Sequence, residues 1–256
     1  MLCTGAEHPW GLLTLGDVLP PMERLQKLLA TAGHGSRREI EQWIRDQRVT
    51  VGGRIAQLGE RAEPGAEIRL DGRPLRTAAA SARAVLIYHK PVGEMTTRSD
   101  PAGRPTVFER LPPPPDGRWV VIGRLDVNTT GLLLFTNDGE LANRLMHPSA
   151  EIEREYLVRV HGNPSPEVLE RLRSGVRLED GPARFDGIVA GGQSGSHSWF
   201  RVTLHEGRNR EVRRLWQEVG FEVSRLSRLR YGRVTLPEDL RPGAWRLMPS
   251  AEARLL

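Results

Sequence analysis

Past residue 84 the chain carries six runs of strand character. They read AVLIYHKP, RWVVIGRLD, GLLLFTNDG, REYLVRVHG, WFRVTLHEG and FEVSRLSRLRYG. Only three runs, GELANRLMHP, SPEVLERLRSG and NREVRRLWQEVG, have the apolar stripe of a helix. A doubly wound parallel sheet needs a helix between successive strands, and this order does not supply one. Residues 84–250 are therefore expected to form an α+β domain, a mixed, mainly antiparallel sheet with packed helices, with 251–256 as a tail. In SPEVLERLRSG, Ser165 is placed to cap and Pro166 to occupy the first helical position.

The front of the chain has a different texture. Leu25, Leu28, Leu29 and Ala32 follow i, i+3, i+4, i+7 from a pattern that opens at Met22, and Gly33 is placed to end the helix. Ser36 and Glu39 form a capping box before a second helix that buries Ile40, Trp43 and Ile44 and turns Arg37, Arg38 and Arg45 largely away. VTVGGRIA reads as a hairpin turning at Gly52-Gly53, and EPGAEIRLDG as a further strand. Two short helices followed by small strands make a separate module over 22–74. LRTAAASARA is weakly patterned, which sets a linker at 75–83. Residues 1–21 lack a basic start and a clean cleavage site and read as a disordered extension.

Composition narrows the function. The chain has 37 Lys and Arg against 32 Asp and Glu, a formal net charge of +5, which favours an anionic partner such as nucleic acid. Only Lys27 and Lys90 are lysines; the other basic residues are arginines, whose forks suit phosphate, although arginine-rich codon usage would give the same excess. Cys3 is the single cysteine, and the seven histidines never fall at i, i+3 or i, i+4, so neither a disulfide framework nor a metal site is expected. No run approaches the roughly 18 apolar residues of a membrane helix.

Two segments could carry chemistry. In EGRNREVRRLWQEVG, Asn209 is placed as an N-cap and Val212, Leu215, Trp216 and Val219 as the buried stripe. Arg210, Arg213, Arg214 and Gln217 share a neighbouring face. Those arginines could hold phosphates near a helix start or simply form a solvated basic side. In GRLDVNTTG, Asp126 ends a strand-like run and opens a turn, a position that an aspartate can occupy only for turn geometry. If it is instead a buried carboxylate, a guanidinium must stand near it, with Arg213 or Arg124 as the candidates. Trp199 and Trp216 read as core, His147 as a helix-end residue, and Lys90-Pro91-Val92-Gly93 as a loop beside a cleft. Asn128, Thr129 and Thr130 are placed to hold the turn through side-chain bonds to backbone.

Four segments in order resemble the motifs of pseudouridine synthases of the ribosomal small-subunit synthase A family. They are KPVGEMTT at 90–97, GRLDVNTTGLLLFTNDGELANRLMHP at 123–148, REYLVRV at 154–160 and EGRNREVRRL at 206–215. Residues 22–74 are similar to the alpha-L RNA-binding module that precedes the catalytic domain in this family. RSDPAGRPTVFERLP and GELANRLMHPS bring the chain nearest the family's large-subunit members.

The resemblance implies an isomerase that converts a specific uridine of large-subunit ribosomal RNA to pseudouridine, without cofactor or metal. It implies Asp126 as nucleophile, Tyr156 as the ring that stacks on uracil and Arg213 as the partner of the aspartate. Lys27, Arg37, Arg38, Arg124, Arg208, Arg210 and Arg214 are the expected RNA contacts. Naked ribosomal RNA or a partly assembled ribosomal particle would be the partner, and a cytoplasmic monomer is expected. A non-catalytic ribosomal RNA-binding assembly protein is the alternative, and a DNA-binding regulator using the first helix pair would leave residues 84–250 without a role.

Overall fold

Leucines spaced to cover one helix face stand near the start of the described residues. In the computed structural model, which describes residues 22–77 and 83–256, Leu25, Leu28 and Leu29 are all buried. The chain divides into two compact units at Ala79/Ala80. The first contains β1 (Glu23–Arg24), α1 (Leu25–Thr31), α2 (Arg37–Arg45), β2 (Val49–Val51), β3 (Arg54–Ile55), β4 (Arg61–Ala62), β5 (Ile68–Leu70) and β6 (Arg73–Leu75). Helix α1 starts at Leu25, not at Met22, because Glu23 and Arg24 pair with Ala62 and Arg61.

The Ser36 hydroxyl accepts the Glu39 N–H and the Glu39 carboxylate accepts the Ser36 N–H, both at 3.1 Å, so the capping box forms as expected. Gly52 and Gly53 take positive φ (54° and 79°), the pair of left-handed residues that a two-residue hairpin requires. Strands β3-β2-β5-β6 form one small sheet, and Ile40, Ile44, Val49 and Ile68 join the α1 leucines in its core. Order runs past the expected boundary at 74: β6 ends at Leu75, and Thr77 Oγ1 accepts the Gly65 N–H at 2.9 Å. The expected extension at 1–21 and the middle of the expected linker, 78–82, lie outside the described residues.

The second unit contains β7 (Val85–Lys90), β8 (Val120–Ile122), β9 (Thr130–Thr136), α3 (Gly139–Met146), a 3-10 turn (Pro148–Ala150), β10 (Arg154–His161) and α4 (Pro166–Ser174). It continues through β11 (Val176–Leu178), β12 (Gly181–Ala183), β13 (Gly187–Ser194), β14 (His197–Leu204), α5 (Glu211–Glu218), β15 (Val223–Tyr231), β16 (Val234–Thr235), β17 (Trp245–Leu247) and α6 (Ser250–Ala253). The main sheet runs β13-β14-β10-β15-β9-β7-β17, with β8 on β9 and β16 on β15. All of its strand pairs are antiparallel except β9 with β15. The expected α+β architecture is thus present.

Residue periodicity explains how the sheet is covered. In β7 and β9 both faces are apolar: Leu86, Tyr88, Leu133 and Phe135 enter one core, Val85, Ile87, Leu132 and Leu134 the other. Helices α4 and α5 supply Leu172, Leu215 and Trp216 to the first core, and α3 supplies Leu141 and Leu145 to the second. In β10 and β14 burial alternates, so Val158, Val160, Phe200 and Val202 face the first core while Leu157, Arg159 and Trp199 face outward. This half of the sheet has one open face, as antiparallel sheets permit. The expected tail at 251–256 packs instead: Ala253 on α6 is buried, and Leu256 lies against the second core. No helix of the described residues is long and apolar enough to cross a membrane.

The one parallel strand pair of the main sheet depends on a glycine. Gly131 has φ +107° and pairs with Arg228, and a Cβ there would run into the Arg228 carbonyl and lie 2.5 Å from its nitrogen. Gly131→Ala is expected to destabilise the second unit by about 3 kcal/mol, through backbone strain and overpacking together. A urea-denaturation midpoint indistinguishable from the parent's would contradict this close approach.

Candidate active site

Asp126 is not on a strand. Pairing of β8 ends at Ile122, Gly123 takes φ +74°, and the chain leaves the sheet through Arg124 and the buried Leu125. Asp126 then opens a turn, its carbonyl accepting the Thr129 N–H at 3.0 Å. Arg124, one of the two candidate partners of Asp126, is exposed and makes no ion pair among the described residues.

Every carbonyl from Leu125 to Thr129 accepts a hydrogen bond. The Thr96 hydroxyl donates to Leu125 O (2.7 Å), the Thr129 N–H to Asp126 O, and the Gly93 N–H to Val127 O (2.8 Å). Arg213 Nη2 donates to Asn128 O (2.8 Å), and Lys90 Nζ to Thr129 O (2.9 Å). Lys90 Nζ also reaches Pro91 O at 2.9 Å, and the Thr130 hydroxyl donates to Lys90 O at 2.7 Å. The loop at 90–93 is thus built into the turn, and Thr130 binds backbone as expected. Thr129 differs, since its buried hydroxyl has no partner among the described residues, and Asn128 contributes its carbonyl.

The charges around Asp126 follow from this clamp. Its carboxylate keeps 31% exposure, so it is not the buried group expected of a strand end, and Arg210 Nη1 lies 3.8 Å from it. Arg213, the expected partner, anchors the turn by bridging Asn128 O and Val223 O (2.9 Å). Burial lowers the Arg213 pKa and the neighbouring Arg210 adds to this, while Asp126 opposes both. Lys90 is fully buried, and burial pulls its ammonium down to about 8, against the pull of Glu94 and Asp126.

Arg210 sits where it does because α5 begins later than expected. The N-cap is Arg210 at φ 50°, not Asn209, and a left-handed backbone on such a residue costs roughly 1 kcal/mol. The buried Glu211 carboxylate accepts the Arg208 N–H at 3.1 Å, which helps hold this reversal. Burial pushes the Glu211 pKa up to about 7. Around it, Arg208 pairs with Glu206, and Arg214 forms a two-pronged bridge to Asp180 with both bonds at 2.9 Å. Arg208 and Arg214, expected at RNA, are tied to carboxylates, whereas Arg210 is half exposed.

An open cleft of about 1390 Å³ adjoins the turn. Asn128, Thr130, Arg210 and Arg213 line one part of it, and Leu157, Trp199, Phe221 and Arg225 another. Trp199 is therefore not core, in contrast to Trp216, which is fully buried. Phe200 and Val202 are buried, and period-two alternation could have turned Trp199 outward from the sequence alone. Tyr156 does not line the cleft. It lies on the core side of β10, 9% exposed, in the cluster that holds Leu125, and its hydroxyl makes no hydrogen bond among the described residues. His147 is a helix-end residue as expected, its ring accepting the Ser149 N–H. In the first unit, Lys27 pairs with Glu23 at 2.8 Å, while Arg37 and Arg38 are exposed on the first turn of α2.

The Lys90 clamp has a pH signature. Between about pH 8 and the ordinary lysine value of 10.5, the unfolded chain holds a proton that the folded chain has shed. Stability attributable to Lys90 should therefore rise with pH across that window. The difference in urea midpoint between the parent and Lys90→Met should widen in the parent's favour from pH 8 upward. A flat difference would show that Lys90 titrates normally.

Comparison with known proteins places this geometry. The RNA pseudouridylate synthase family matches residues 84–218, and the S4 domain matches residues 23–68. Ribosomal large subunit pseudouridine synthase B of Escherichia coli (strain K12) is 58% identical over 238 residues, 91% of this chain and 82% of the relative. The protein of the same name from Yersinia pestis is 58% identical over 227 residues, 87% of this chain and 71% of the relative. A crystal structure of a pseudouridylate synthase superposes with a TM-score of 0.63 at 27% identity, covering 90% of this chain and 98% of that one. With an S4 domain in front and a clamped aspartate turn in the matched region, the chain belongs to the RNA pseudouridylate synthase family.

Proposed function

We propose that the protein converts one uridine of large-subunit ribosomal RNA to pseudouridine, with Asp126 as the nucleophile and no cofactor. Its relatives are named for that subunit. The observation that carries the reading is Asp126 itself, a partly exposed carboxylate 3.8 Å from Arg210, on a turn whose carbonyls are all engaged. The N1–C1′ bond breaks and a C5–C1′ bond forms. The C5 proton leaves and N1 gains one, so the composition of the nucleotide is unchanged and no redox partner enters.

Preorganisation is what the turn contributes. Because the backbone at Asp126 is held before substrate arrives, little reorganisation remains for the reaction itself. The Arg210 guanidinium favours the ionised carboxylate that a nucleophile must be. A stacked uridine must be extracted to meet it. Tyr156, which shares a buried cluster with Leu125 and whose hydroxyl makes no hydrogen bond among the described residues, is the candidate ring for the extracted base. Arg37, Arg38 and Arg124, exposed and without ion pairs among the described residues, are the candidate phosphate contacts. A ribosomal RNA substrate is the support for reading the protein as cytoplasmic.

The test uses purified protein with large-subunit RNA, naked and in a partly assembled particle, read by chemical labelling of pseudouridine, because isomerisation leaves mass unchanged. Asp126→Asn is expected to abolish labelling while binding RNA as the parent does. Arg210→Gln should lower kcat by about a hundredfold, the scale for loss of one preorganised charge. Arg37→Gln with Arg38→Gln should raise KM, leave kcat alone and flatten the salt dependence of binding. Full labelling by Asp126→Asn would overturn the catalytic role and leave a non-catalytic RNA-binding protein.

A further inference from the structure

We propose that the open face of β10, β14 and β15 holds a binding subsite for a second, unpaired RNA base, with Trp199 as its stacking platform and Arg159 and Arg225 as its phosphate contacts. The inference rests on the proposed reaction of an RNA uridine at Asp126, whose turn the cleft adjoins, and extends it to a nucleotide flanking the target. Arg159 is the cross-strand partner of both Trp199 and Arg225, so the three side chains share one face of the sheet. Leu157 and Ser227 are paired on the same face, and this row leads to Thr130 at the Asp126 turn.

Three observations separate this patch from an ordinary sheet surface. Trp199 is half-buried in the cleft wall, and its indole N–H has no partner among the described residues. The Arg159 guanidinium lies 5.9 Å from the indole ring centroid, and its buried Nε has no hydrogen-bond partner among the described residues. Arg225 is exposed and meets no carboxylate among the described residues, unlike the nearby Arg201, which pairs with Glu155 at 3.2 Å. An aromatic plane flanked by uncompensated guanidinium groups matches a nucleobase with its adjoining phosphates. Beyond Trp199 the rings of His161 and His197, paired across the same two strands, meet edge to face at 5.2 Å and continue the row of rings.

Position decides which base this is. Trp199 is on β14 and the turn feeds β9, three strands away in the sheet. At the usual interstrand spacing that is about 14 Å, too far for one base to touch both. The uridine at Asp126 and the base on Trp199 are therefore different nucleotides of one strand. Such a second contact lets the enzyme choose a uridine by its unpaired neighbourhood.

The experiment measures equilibrium binding to the full chain carrying Asp126→Asn, so turnover plays no part and failure of the isomerase assay leaves this test intact. The probes are a short fluorescent oligouridine and an abasic oligomer of equal length and charge. Trp199→Leu, which keeps apolar volume without an aromatic face, should weaken oligouridine binding by roughly tenfold or more and leave the abasic oligomer unchanged. Trp199→Phe should retain most of the affinity, and Arg225→Gln should weaken both probes alike. Equal affinities in Trp199→Leu and its parent, or equal losses for both probes, would overturn the proposal. Should Trp199→Leu not fold, photocross-linking of a 5-iodouridine oligomer to the parent decides the matter. An adduct on Trp199 supports the platform, and adducts confined to other residues refute it.

Discussion

The site depends on how a short turn is held. Asp126 lies in an irregular stretch between β8 and β9, where no ladder fixes the backbone. Five consecutive carbonyls, from Leu125 to Thr129, are instead engaged by groups from the 90–96 loop, from α5 and from the turn itself. Each bond contributes on the order of 1 kcal/mol net, but together they leave the turn one arrangement. The buried Lys90 is the centre of this arrangement, and its depressed pKa shows the cost of placing an ammonium there.

The sheet divides structural from functional roles. Where both faces are apolar, in β7 and β9, two cores hold the chain end of the turn in place. Where burial alternates, in β10 and β14, one face packs and the other opens onto the cleft. Gly131 joins the halves, because only a residue without a side chain lets β9 approach β15 so closely. The same strand pairing that stabilises the domain thus sets how far Asp126 stands from Trp199.

Local signals were legible in the sequence and distant ones were not. The Ser36 capping box, the Gly52-Gly53 hairpin and the stripe of α5 each depend on residues a few positions apart, and each forms. β13 reads as no strand, since GIVAGGQS is rich in small residues, and it exists because β14 offers a long edge. Asp126 became a candidate through family likeness, but its setting was not legible: Thr96 and Arg213 come from 30 and 87 positions away. Family likeness implied Arg213 as the acid's partner, and helical spacing could not show that Arg213 binds the Asn128 carbonyl while the left-handed backbone at Arg210 sets its guanidinium 3.8 Å from Asp126. Composition showed an arginine excess but could not show that Arg208 and Arg214 are tied to acids while Arg225 is not.

The most direct test of the account is a pseudouridine map of the host's large- and small-subunit ribosomal RNA, comparing parent cells with cells whose only copy carries Asp126→Asn. The substitution keeps size and much of the hydrogen bonding while removing the charge. The account predicts loss of a single large-subunit pseudouridine and no other change. An unchanged map, with the variant still bound to RNA, would contradict it and leave the clamped turn without a catalytic purpose.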